Sequence, residues 1–203
     1  MKPIYYNCEE LWQLFIKGDA AALDSIVKNN YNLLYNYGRK FTTDAELVKD
    51  CIQDLFFTLW KNRNTLNDTV SVKYYLMKSF RRKLERALAA TAHADFYPEF
   101  INLADACTAS PEIKKILEEE YSHISARLLH AIRNLSARQQ EIIYLRFYLD
   151  ANAAEIATIM NLTKQSVYNL LQVALLKLRK ETASFTRNGI APLAVFFIIL
   201  HKF

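Results

Sequence analysis

The chain has 203 residues, 52% of them hydrophobic, with a formal net charge of +5 and a pI near 9.0. That is enough apolar material for a real core, which argues against wholesale disorder, and the mild basicity permits a nucleic-acid partner without demanding one. Three glycines and four prolines are too few for a strand-rich fold with many tight turns, so an all-α fold is expected.

The cysteines, Cys8, Cys51 and Cys107, are far apart and odd in number, and no C-x-x-C or Cys/His cluster occurs. Neither a disulfide framework nor a zinc site is expected, and a reducing cytoplasm fits. The opening MKPIYYNCEELWQ lacks the basic-then-apolar run of a signal peptide, and no stretch reaches the ~20 apolar residues of a membrane span. There is no Gly-rich phosphate loop, nucleophile motif or metal spacing, and His93, His123, His130 and His201 are scattered. No enzymatic activity, cofactor or small-molecule substrate is expected.

In chain order, Glu9 to Lys17 reads as a helix with apolar Leu11, Trp12, Phe15 and Ile16, broken by Gly18-Asp19. A second helix runs from about Ala20 into Phe41, with Leu23, Ile26, Val27, Leu33, Leu34 and Tyr37 as its core residues. The third opens on Thr43 and Glu46, the T-x-x-E of a capping box, and keeps helical spacing through Val48, Cys51, Ile52, Leu55, Phe56, Leu59 and Trp60. Its outer face is acidic, with Asp44, Glu46, Asp50 and Asp54 around Gln53. Such a face is either simply solvated or suited to a basic partner protein.

A polar loop, Lys61–Ser71, leads to a fourth helix, Val72–Leu88, whose inner line is Val72, Leu76, Phe80, Leu84 and Leu88. Lys73, Lys78, Arg81, Arg82, Lys83 and Arg86 lie on it against one acid, Glu85. Mixed charge would serve solubility as well, so segregated basic charge points to a phosphate-tracking surface. Thr91–Ser110 loses periodicity and reads as a linker. Ser110-Pro111-Glu112 restarts a helix that continues through Ile113, Leu117, Ile124, Leu128 and Ile132.

Ser136–Lys180 reads as three helices, the last two a helix–turn–helix. Ser136 and Gln139 form an S-x-x-Q capping box ahead of Ile142, Ile143, Leu145 and Leu149. A short helix follows with Ile156, Ile159 and Met160 inward. Asn161 tolerates the left-handed turn, and Thr163 caps the last helix. There, Val167, Leu170, Leu171, Ala174, Leu175 and Leu178 make one apolar stripe, leaving Lys164, Gln165, Tyr168, Asn169 and Gln172 outside. A recognition helix presents such side chains to base edges, while a plain three-helix bundle would leave them as a solvated face. The tail carries an apolar run of eleven residues, Ile190–Leu200, about 16 Å as a helix and too short to cross a membrane. Packing on the domain, a partner contact or contact with a membrane surface would each use it.

These segments together resemble a small sigma factor of the sigma-70 family, of the extracytoplasmic-function (ECF) type. Gly18-Asp19 followed by Ala22 resembles the family's G-D-x-x-A. Asp50 to Trp60, DCIQDLFFTLW, is similar to its D-x-x-Q-[DE]-x-F-x-x-[LV]-W and is the most specific match. Tyr75-Leu76 with Arg81-Arg82, Leu135-Ser136-x-x-Gln139, Leu145-Arg146-Phe147, Glu155-Ile156-Ala157 and Ser166-Val167 through Arg179 also resemble the family pattern. Where members commonly carry a Gly-x-Ser-Tyr-like turn, this chain has Asp150-Ala151-Asn152-Ala153-Ala154.

The resemblance implies two small helical domains joined by a linker: a region 2 domain at 5–90, the linker at 91–110, a region 4 helix–turn–helix domain at 111–183, and a tail at 184–203. It implies that Asp50, Gln53 and Asp54 face core RNA polymerase. Asn62, Asn64 and Asn67, in a loop reaching Thr69, would capture a flipped base of the −10 element, and Lys78, Arg81, Arg82 and Arg86 would hold the DNA beside it. Lys164, Gln165, Tyr168, Asn169 and Gln172 would read the −35 element. Promoter DNA and core polymerase are the implied partners, an anti-sigma factor is common in the family, and the cytoplasm is the implied place of action. A helix–turn–helix regulator that never engages polymerase, and a membrane-associated helical adaptor, are the alternatives. The Asp50–Trp60 motif discriminates against the first.

Overall fold

The computed structural model describes residues 8–66, 71–90 and 130–182, and every regular element among them is helical. They fall into two compact units, one holding the first four helices and the other most of the last three.

In the N-terminal unit, α1 (Cys8–Ile16) and α2 (Ala20–Gly38) are joined by a two-way cap. Gly18 takes a left-handed φ of +94°, and the Asp19 N–H returns to the Leu14 carbonyl at 3.0 Å, closing α1. The Asp19 carboxylate then accepts from the Ala21 and Ala22 N–H groups at 2.8 and 3.2 Å, opening α2. The helix ends at Gly38, short of the expected Phe41, and Arg39–Phe41 form a turn that still delivers Phe41 to the core. Gly38 has no room for a side chain: a Cβ there would lie 2.8 Å from both Val48 Cγ1 and Phe80 Cζ. The core is rich in rings. Trp12 packs edge-on against Tyr75, and Tyr37 packs against Phe41 and Phe80.

α3 (Ala45–Asn62) does not start with the expected Thr43–Glu46 box. Asp44 is the N-cap, its carboxylate accepting from the Leu47 N–H at 3.0 Å while Thr42 Oγ1 accepts from the Asp44 N–H. A carboxylate is the stronger acceptor for the orphan N–H groups, and Glu46 is left to pair with Lys49 at 2.7 Å. The predicted inner line of α3 is buried, Trp60 being half-buried. The helix also runs further than expected, to Asn62, and passes into a 3₁₀ turn at Arg63–Thr65, where the sequence suggested only loop. Arg63 secures that turn, donating to the Trp60 carbonyl at 2.9 Å and lying over its ring at 4.6 Å. In α4 (Val72–Ala90) all five predicted inner residues are buried, and Met77 joins them.

In the C-terminal unit, α5 (Ala137–Ile143) begins with the predicted capping box, both halves formed. Gln140 is buried and donates to the Leu135 carbonyl at 2.9 Å, tying α5 to the residue just before its cap. α5 widens into a π turn at Tyr144–Tyr148, and Asp150 then takes a left-handed φ of +52°. The Ala151 N–H returns to the Leu145 carbonyl at 3.0 Å, and Arg146 donates to the Ala151 carbonyl at 3.1 Å, bracing the turn. α6 (Ala153–Met160) opens on a second capping box. The Asn152 side chain accepts from Ala154 and Glu155 N–H, and Glu155 accepts from the Asn152 N–H at 2.6 Å.

The linker 91–110, the helix restart at 110–112 with Ile113, Leu117, Ile124 and Leu128, and the tail apolar run 190–200 lie outside the described residues, as do Cys107 and Asn67. Among the described residues no helix is long and apolar enough to cross a membrane, and no cluster of His, Cys, Asp and Glu is arranged to hold a metal ion.

Candidate functional site

The turn between α6 and the last helix, α7 (Lys164–Thr182), is only three residues long and every one has a defined task. Asn161 adopts φ +54°, the Leu162 N–H closes on the Ala157 carbonyl at 2.9 Å, and Thr163 Oγ1 accepts from the Ser166 N–H at 3.1 Å. This pairing of a left-handed C-cap with an N-cap fixes the angle at which α7 leaves the turn. Val167, Ala174 and Leu178 are buried, whereas Leu170, Leu171 and Leu175 are half-buried rather than fully inside.

Lys164, Gln165, Tyr168, Asn169 and Gln172 are all exposed on the opposite side. Gln165 donates to the Asn169 amide oxygen at 2.9 Å, so two amide groups, each with donor and acceptor, are held side by side. That is the chemistry that reads base edges in a major groove. Further along the helix the exposed side turns apolar, with Val173 at 45% and Leu176 at 57% exposure. Lys177 reaches back to Gln139 Oε1 at 3.2 Å, where the same oxygen accepts from the Ser136 N–H. This side chain thereby joins α7 to the α5 cap.

In the N-terminal unit, Asp50, Gln53 and Asp54 are exposed on one face of α3. Beneath them Cys51 is buried, and burial, followed by the nearby Asp54 charge, pushes its thiol up, so it stays protonated. Lys49 is also raised, by its hydrogen bond to Glu46 and then by the Glu46 charge. Glu46 is therefore engaged locally, whereas neither Asp50 nor Asp54 enters an ion pair with another described residue.

On α4, Lys78, Arg82 and Arg86 fall at four-residue steps and form one stripe, the two arginines exposed and Lys78 half-buried. Arg81 departs from the expectation. It is 4% exposed and pairs with Glu85, so its guanidinium sits in the bundle rather than on the basic face. One turn of helix places positions 81 and 85 together, and Arg81 lies one residue from the core line at Phe80, which explains the burial. Asn62 and Asn64 are exposed, at the end of α3 and in the 3₁₀ turn; the Asn62 carbonyl accepts from Thr65 Oγ1 at 2.8 Å. Two features were missed in the sequence, the Asn152–Glu155 box and the Gln139–Lys177 link. The first was legible as N-x-x-E before an apolar run; the second joins residues too far apart for local spacing to reveal.

Two family models match the chain and together cover more than half of it: Sigma-70 region 2 over residues 26–93 and Sigma-70, region 4, over residues 131–180. The chain is 24% identical over 173 residues to the ECF RNA polymerase sigma factor SigL of Mycobacterium tuberculosis, spanning 81% of this chain and 93% of that protein. Among solved structures it is similar to CnrH, determined in complex with the cytosolic domain of CnrY, at a TM-score of 0.56 and 16% identity, over 90% of this chain and 100% of that one. That last likeness is one of fold. The family is one of transcription initiation factors without an enzymatic role. With region 2 and region 4 of the family matched in order on one chain, the protein belongs to the sigma-70 family, as a sigma factor of the extracytoplasmic-function type.

Proposed function

We propose that this sigma factor divides promoter recognition between its two units. Region 2 spans residues 5–90 and region 4 spans 111–183, with 91–110 as the tether and 184–203 as a tail outside both. The observation that carries the reading is the separation of exposed chemistry: free carboxylates on α3, a basic stripe on α4 and paired amides on α7.

Asp50, Gln53 and Asp54 dock on a basic surface of core RNA polymerase, where acids that would repel DNA are useful. Asn62, Asn64 and Asn67 capture a base flipped from the melted −10 element. Lys78, Arg82 and Arg86 hold the adjacent phosphates, and Arg81 serves by fixing the helix rather than by touching DNA. Base flipping costs a few kcal/mol of unstacking, which a fitted pocket and phosphate contacts offset. Lys164, Gln165, Tyr168, Asn169 and Gln172 read the −35 element in the major groove. The factor acts in the cytoplasm with core polymerase and promoter DNA, and an anti-sigma factor is its further partner. The similar CnrH was solved with a bound protein domain, which supports a protein partner of that kind.

The test is run-off transcription with purified chain and core RNA polymerase. Transcripts from discrete promoter positions are expected only when both are present. A folded protein that neither binds core polymerase nor initiates transcription would remove the proposal.

A further inference from the structure

The acidic face of α3 also carries an aromatic ring that charge pairing does not need. Phe57 is 67% exposed, and among the described residues of the N-terminal unit it is the large hydrophobic side chain left open. The neighbouring Phe56 is 7% exposed and fills the core position, so Phe57 does not substitute for it. Phe57 follows Asp50 by seven residues, Gln53 by four and Asp54 by three, which on a helix puts all four on one face. Exposed Lys61, one turn further on, completes a polar surround. An apolar centre inside a polar rim is the anatomy of a binding hot spot, where the ring is desolvated and the rim excludes water. The two carboxylates beside it form no ion pair with described residues, so the rim's charge is available to a partner.

We infer that Phe57 is the apolar anchor of the polymerase contact. Its ring enters a cleft between aliphatic stems of the partner surface, and Asp50 and Asp54 pair with arginine or lysine heads around that cleft. The inference rests on the proposed docking of this face on core polymerase. It adds to it that the hydrophobic centre, and not charge alone, sets how long the complex lasts.

The test measures binding of the full-length chain to core polymerase at low and high salt for Phe57→Ala, Phe57→Leu and the double variant Asp50→Asn/Asp54→Asn. Phe57→Ala should weaken binding by about 10-fold or more, mainly through faster dissociation, with its salt dependence unchanged. Phe57→Leu should recover most of that loss. The carboxamide pair should weaken binding and flatten its salt dependence. Melting should be unchanged for Phe57→Ala, because an exposed ring adds little to the fold. If Phe57→Ala binds like the parent while the carboxamide pair is weakened, the anchor is wrong and the polymerase docking stands. If the carboxamide pair also binds like the parent, the docking itself is wrong. A loss of binding by Phe57→Ala that is matched by a loss of folded protein would likewise overturn the anchor.

Discussion

The two units are specified by different means. In the N-terminal unit Trp12, Phe15, Tyr37, Phe41 and Phe80 are each buried to within 1% exposure, all but Phe41 within helices, which run to as many as 19 residues. In the C-terminal unit Tyr144 is the one described aromatic buried to that degree. The helices there are as short as seven or eight residues, and each of the three starts at a side-chain cap. Short helices are marginal on their own, so their ends must be fixed by hydrogen bonds. Long helices around a ring-filled core tolerate a shifted end. The cap of α3 falls at Asp44 instead of Thr43, and the same core residues are nevertheless buried. On the proposed reading, a unit that aims a recognition helix needs defined turns, and one that presents charged faces needs a rigid core.

Substitutions can break this contrast, and the largest effect belongs to the ring core. Phe80→Ala should cost the N-terminal unit about 3–5 kcal/mol, since the side chain is fully buried against Tyr37. Both tryptophans, Trp12 and Trp60, lie in this unit, so their fluorescence in a denaturant titration follows it alone. Gly38→Ala should cost about 1–3 kcal/mol in the same titration, because its Cβ meets Val48 and Phe80. A neutral result would mean that α2 and α4 pack less closely than the structure shows.

The C-terminal unit should answer to smaller changes at its turns. Asn152→Ala removes the acceptor for two N–H groups and should cost about 1 kcal/mol, read as faster amide hydrogen exchange along α6, with Asn152→Ser restoring most of it. Asp150→Gly sits at the small end. Its left-handed backbone suits glycine, so stability should rise by at most about 1 kcal/mol or stay level. On DNA, Arg82→Ala and Arg86→Ala should each reduce the salt slope of promoter binding by about 1. Arg81→Met should leave that slope alone and lower stability instead, as its pairing with Glu85 requires.

What the residues disclosed in advance follows the same division. The five residues at four-residue steps in α4 and the line from Val48 to Leu59 in α3 named buried residues correctly, because burial of a long amphipathic helix is a sum over many side chains. Ser136, Gln139, Asn161 and Thr163 were legible because each local hydrogen bond uses a residue type suited to it. Arg81 was misjudged, since charge suggested the surface while one residue of helical phase set it beside Phe80. The π turn at Tyr144–Tyr148 had no signal in spacing, and the half-burial of Leu170, Leu171 and Leu175 depends on what packs on α7 rather than on its own pattern.

The division of labour between the units is tested most directly by two variant sets in one assay series, core-polymerase binding and then −35 preference across a panel of promoter sequences. Asp50→Asn/Asp54→Asn should lose affinity for polymerase. Gln165→Ala and Asn169→Ala should bind polymerase like the parent but shift −35 preference by about 1–3 kcal/mol per lost bidentate contact. If the α7 variants instead lose polymerase binding, or weaken all promoters equally, the amides do not read bases and the account is contradicted.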